Sequence, residues 1–99
     1  ITLGIFMSTI SKKFETKASA DEMKLYINTN VLTNSLVKSV LDNASWQGNT
    51  LYATSKFGKG WIKVFDNLIE VEIQLNLFGN FAKKSLEATL DKEFKQLKP

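Results

Sequence analysis

Apolar and polar residues alternate without exception from Ile69 to Leu77: Ile69, Val71, Ile73, Leu75 and Leu77 are interleaved with Glu70, Glu72, Gln74 and Asn76. Strict period two predicts a strand with one buried and one wet face. That pattern belongs to an antiparallel sheet rather than a parallel sheet covered on both sides. Residues 8–17 carry a weaker version, with Ile10 and Phe14 on one parity and Lys13, Glu15 and Lys17 on the other. They predict a solvated edge strand guarded by lysines.

Ser19-Ala-Asp-Glu22 matches a capping box, in which the serine oxygen and the glutamate satisfy each other's backbone amides. The predicted helix runs to about Asn43, with Leu25, Leu32, Leu36 and Val40 on one stripe and a weak centre at Asn28-Thr-Asn30. Residues 45–56 predict a second strand containing a turn or bulge at Gln47-Gly48-Asn49. Phe57-Gly-Lys-Gly60 is a turn, Trp61 to Phe65 a third strand, and Asp66-Asn67 a hairpin connection into Ile69–Leu77. Asn80 is an N-cap candidate for a last helix from Phe81 to Leu97. Its apolar stripe is Ala82, Leu86, Leu90, Phe94 and Leu97, with Lys83–Glu87 and Asp91–Lys95 paired on the wet side.

The expected fold is therefore α+β: a two-layer sandwich of a four-stranded antiparallel sheet with two helices on one face, in the order β-α-β-β-β-α. At 99 residues the chain reads as one domain with one core and little room for a deep, dedicated ligand cavity. Residues 1–7 read as an upstream or non-native extension. Met7 is one candidate start, and a removed methionine before Ile1 is the other. No stretch is long and apolar enough to span a bilayer.

Composition narrows the chemistry. There is no histidine and no cysteine, which excludes Ser–His and Cys–His machinery, thiolate metal sites and a disulfide framework. A reducing cytoplasm is the expected compartment. The net charge of +3 comes from lysine alone, because the chain has no arginine. Lysine attracts polyanions loosely but does not supply the bidentate fork that reads phosphates and bases. Nucleic acid is accordingly the least favoured partner.

Three constellations have bland explanations that outweigh the chemical ones. Glu70 and Glu72 share a strand face, as paired carboxylates or a cation site require, yet a solvated sheet face explains them. Asp21-Glu22 fits the first turn of a capped helix better than a metal pair. Gly58-Lys59-Gly60 lacks the longer glycine pattern and the following helix of a phosphate loop. No catalytic, cofactor-binding or metal-ligating residue is assigned.

The interaction candidates are Tyr52, Trp61, Lys63 and Phe65. Trp61, Lys63 and Phe65 share one face of the third strand and Ile62 and Val64 the other, so both faces are apolar. Either Trp61 and Phe65 form a self-association or partner surface, or they face the helices and leave Ile62 and Val64 outside. Stacking on single-stranded nucleic acid is the third reading. A different possibility is a carrier in which two protomers enclose an apolar pocket for an acyl or lipid ligand.

Trp46-Gln-Gly48-Asn-Thr-Leu51, Gly60-Trp-Ile-Lys-Val64, Asp66-Asn-Leu-Ile-Glu-Val-Glu-Ile-Gln-Leu75 and the closing helix with Lys84, Glu87, Ala88 and Leu90 resemble the polyhydroxyalkanoic acid system family. The resemblance spans about residues 8–97 and departs in the first helix, where Asn28, Thr29, Asn30, Thr33 and Asn34 replace an alanine- and charge-rich pattern. It implies a small bacterial cytoplasmic protein associated with storage-polyester granules, without catalytic activity or cofactor. Together with the residues it yields the expectation of a non-catalytic binding or assembly protein, homo-oligomeric through an apolar sheet face, with a hydrophobic granule or acyl ligand as partner.

Overall fold

The computed structural model describes residues 8–76 and 79–95, Asn80 by its backbone alone. The alternating segment forms β5 (Leu68–Leu75), with Ile69, Val71 and Leu75 buried and Ile73 partly so. Leu77 lies outside the described residues. β1 (Ser8–Glu15) pairs antiparallel with β5, Phe14 opposite Ile69, and buries Ile10 and Phe14. It is an edge strand, as its lysines predict. Lys12 shares the parity of the buried pair, so its ammonium turns toward the helical layer and meets Asp91 at 3.0 and 3.2 Å. Asp91 therefore ties the two layers together rather than pairing with Lys95 along its own helix.

The sheet has five strands, not four. The segment expected as one strand with a turn or bulge inside it is a hairpin, β2 (Asn43–Gln47) and β3 (Thr50–Ser55), with the turn at Gly48-Asn49 and Gly48 at φ +60°. β4 (Gly58–Phe65) is longer than expected. Its turn falls at Lys56-Phe57, and Gly58 and Gly60 lie within the strand, because each pairs closely with β5. All pairings are antiparallel and the order is β1-β5-β4-β3-β2. The Asp66-Asn67 turn closes β4 onto β5, with Asn67 in the left-handed region at φ 67°, which asparagine tolerates.

The capping box is present: Glu22 N–H donates to Ser19 Oγ at 3.2 Å and Ser19 N–H to Glu22 Oε1 at 2.9 Å. The hydrogen bond from the Ser19 amide, then that with its hydroxyl, holds the Glu22 carboxyl below its ordinary pKa. The helix it starts is short. α1 (Ala20–Tyr26) passes into a π turn (Ile27–Val31), and α2 (Ser35–Val40) restarts from Asn34, whose side chain caps Leu36 and Val37. At the π turn Leu32 N–H donates to the Ile27 carbonyl five residues back, at 2.9 Å. The hydroxyls of Thr29 and Thr33 donate to the carbonyls four residues before them, at 2.9 and 2.6 Å. Such back-bonding competes with the regular ladder.

The extra residue shifts the phase of the apolar face. Ala20, Met23, Ile27 and Val31 are the buried set, while Leu25, expected in the core, is 64% exposed. Leu32, Leu36 and Val40 do pack against the core, half-buried.

A 3₁₀ turn (Asn80–Ala82) leads into α3 (Lys83–Lys95). Ala82, Leu86, Leu90 and Phe94 are buried as their spacing predicts; Leu97 and the Asn80 side chain lie outside the described residues. Thus, among the described residues, three α-helices, not two, accompany the sheet.

α1 is latched to α3 where the Tyr26 hydroxyl donates to the Glu93 carbonyl at 2.7 Å, with Glu93 Oε1 at 3.3 Å. Burial first, then the Glu93 carboxylate, raises the Tyr26 pKa above its usual 10.0. A raised acid pKa means the unfolded chain releases this proton first. The latch's contribution is thus complete below pH about 10 and is lost as pH rises through the folded-state value. Alkaline unfolding curves of Tyr26→Phe are expected to lack this component of the parent's decline above pH about 10.

Candidate functional site

Parity along β4 decides which candidates meet. Val64 is buried and Ile62 packs against the core, so both face the helices. Trp61, Lys63 and Phe65 point to the side of the sheet away from the described helices. Tyr52, directly opposite Trp61 on β3, joins them. The structure therefore brings all four sequence candidates onto one face, and the reading that puts Trp61 and Phe65 against the helices is corrected. Gly60 is buried on the same parity as Ile62 and Val64, close against the backbone of β5, in keeping with that face being the covered one.

Tyr52 is 43% and Phe65 47% exposed, and Trp61 is half-buried. Lys63 lies between Thr50 and Glu70 in the cross-strand row, Trp61 faces Glu72, and Phe65 faces Leu68. Lys13 reaches Glu70 at 3.4 Å, and the Gln74 side-chain amide donates from Nε2 to Glu72 Oε2 at 3.4 Å. A shallow depression of about 250 Å³ beside Trp61 is bordered by Lys13, Lys63, Glu70 and Glu72. Lys13, Glu70 and Lys63 share one cross-strand row and Glu72 the next, opposite Trp61, so two cations and two anions make a charge-balanced rim beside that ring. The exposed ion pair contributes ~0.2–1 kcal/mol to stability. Among the described residues no group of three or more Asp or Glu side chains is placed to hold a metal ion.

Sequence reasoning did not find the second feature, an apolar cavity of about 110 Å³ inside a single chain, between the sheet and the helices. Its floor is small: the helix-facing positions at one end of β3 and β4 are Ala53, Ser55, Gly58 and Gly60, paired Ala53–Gly60 and Ser55–Gly58. The signal was available, since the same strands place Tyr52 and Trp61 on the opposite parity.

Trp46 has a structural role. It faces the helices, its Nε1–H donates to Asn28 Oδ1 at 2.9 Å, and the Lys24 ammonium lies 5.0 Å from its ring centre. This fastens the β2–β3 hairpin to the first helical segment. No helix among the described residues is long and apolar enough to cross a membrane. Compared with known protein families, with characterised proteins and with solved structures, the chain matches none.

Proposed function

We propose that this chain is a non-catalytic assembly protein that self-associates through the aromatic face of its sheet. The observation that carries this reading is the exposure of Tyr52 and Phe65 beside Trp61, on a face that none of the described helices covers. Aromatic centres with polar rims are the usual make-up of contact surfaces. The balanced Lys13, Lys63, Glu70 and Glu72 rim allows a second copy, rotated by two-fold symmetry, to set lysine against glutamate. The perturbed groups have structural explanations, Glu22 in a cap and Tyr26 in a latch, which favours a binding role over a catalytic one.

Sedimentation equilibrium tests the proposal. The parent is expected to associate, and Trp61→Ala to weaken association by roughly tenfold or more, the loss of about 1.4 kcal/mol expected at least for a central aromatic. A strictly monomeric parent would refute it. The same face is our candidate for contact with a storage-polyester granule in a bacterial cytoplasm, the setting that the family resemblance implies. Co-sedimentation with polyhydroxybutyrate particles, lost in Trp61→Ala, is the expected result.

A further inference from the structure

The cavity beneath the helices is a separate feature, lined from the helix-facing side of β3 and β4, with Tyr52 and Phe65 outside it. Three observations bear on what it holds. Its lining is almost wholly apolar, with Ile73 and Leu75 from β5, Val40 from α2 and Leu86 from α3 around the small floor. No buried side-chain nitrogen or oxygen among the described residues lacks a hydrogen-bond partner, so no orphaned polar atom there asks for a polar guest. Ser55, the hydroxyl on the floor, already accepts from Phe57 N–H at 2.9 Å.

The walls differ in how firmly they are held. Leu86 and Leu90 of α3 are buried, whereas α2 buries none of its residues and follows the π turn. Its apolar side chains, Leu36, Val37 and Val40, are half-buried. Entry past α2 therefore disturbs the least packing. At another part of the lining stands Phe57, whose ring meets that of Phe81 edge-on at 5.9 Å; Phe81 is 77% exposed. An exposed aromatic next to the lining gives an apolar molecule a first contact outside the cavity.

We propose that this cavity is a binding site for one neutral, apolar molecule, the hydrocarbon chain of an acyl or alkyl compound of about six carbons, the size class that an apolar space of roughly this volume accepts. The chain lies between the Ala53/Gly60 floor and the α2/α3 roof. Any polar end group stays at the opening. The site is complete within one chain and does not depend on association through the Trp61 face.

The test is a methyl-detected NMR titration of the full chain with butanol, hexanol, octanol and decanol. Saturable shifts are expected at Val40 and Leu86, tightest for a chain near hexanol. Ala53→Leu fills the floor and is expected to weaken hexanol binding by at least about tenfold, while Phe65→Ala, on the other face of the sheet, leaves it unchanged. Leu86→Ala enlarges the roof and is expected to move the preferred alcohol toward octanol. That readout does not depend on Ala53→Leu folding normally. Absence of saturable shifts at the cavity methyls in the parent overturns the proposal, whether a second copy or nothing at all occupies the space. So does an Ala53→Leu variant, folded by circular dichroism, that binds as the parent does, or a Leu86→Ala variant with unchanged chain-length preference.

Discussion

Phe94→Ala is expected to destabilise the chain by roughly 3–5 kcal/mol, the range for removing a large aromatic from a closed core. Phe94 is fully buried near the end of α3, and its ring packs on that of Phe14 with centres 5.1 Å apart and planes tilted by 37°. This contact joins α3 to the edge strand β1. The substitution loses the transfer free energy of the ring, its aromatic pair and the dispersion contacts around the void. A domain of this size has a total stability of about 5–15 kcal/mol, so a loss of this size is a large fraction of it at the lower end of that range. Urea unfolding followed by circular dichroism measures the loss as a lower midpoint with a similar slope. Leu25→Ala is the matched control. An uninterrupted helical period puts Leu25 in the core, but the π turn leaves it exposed, so its replacement is expected to change stability by less than about 0.5 kcal/mol. Comparable losses at Leu25 and Phe94 would contradict the phase shift.

That contrast shows where the sequence was readable. β5 and α3 were legible because one period governs each from end to end. Ile69, Val71, Leu75, Leu86, Leu90 and Phe94 are all buried where the pattern puts them. The first helix was not legible as a single element, because two threonine hydroxyls and a bond from Leu32 to Ile27 insert a residue that no 3.6-residue period contains. The fifth strand was missed for a different reason. Gly48-Asn49 is a two-residue hairpin signal, but the strands beside it are short and β2 is mostly exposed, so no alternation announces it. At the candidate face, composition alone left open which side of β4 is covered. The answer lay in Gly60: a glycine among core-facing positions signals the close approach of another backbone, and it shares the parity of Val64 rather than that of Trp61.

Glycine at the start of β4 is also the basis of the second large effect. Gly58→Ala is expected to cost about 3 kcal/mol or more, from a backbone conformation worth about 1–3 kcal/mol of strain to an L-residue together with a steric overlap that nothing flexible relieves. Gly58 has φ +151°, and a methyl group added there would overlap the Gln74 carbonyl oxygen and lie 3.0 Å from the Leu75 Cα. Both are backbone atoms of the neighbouring strand, so relief requires β4 and β5 to separate where Gly58 pairs with Leu75. Gly48→Ala separates the two causes. Gly48 sits at φ +60° with no atom within 4 Å of an added methyl group, so only the conformational part applies, about 1–2 kcal/mol. Thermal unfolding of both variants checks the difference. If Gly58→Ala is no more costly than Gly48→Ala, β4 and β5 are not held as closely as the pairing requires, and the small-residue floor of the cavity loses its physical reason. If it is much more costly, the glycines that open space beneath α2 are the same ones that let the two strands meet, and the cavity is a direct consequence of how this sheet is built.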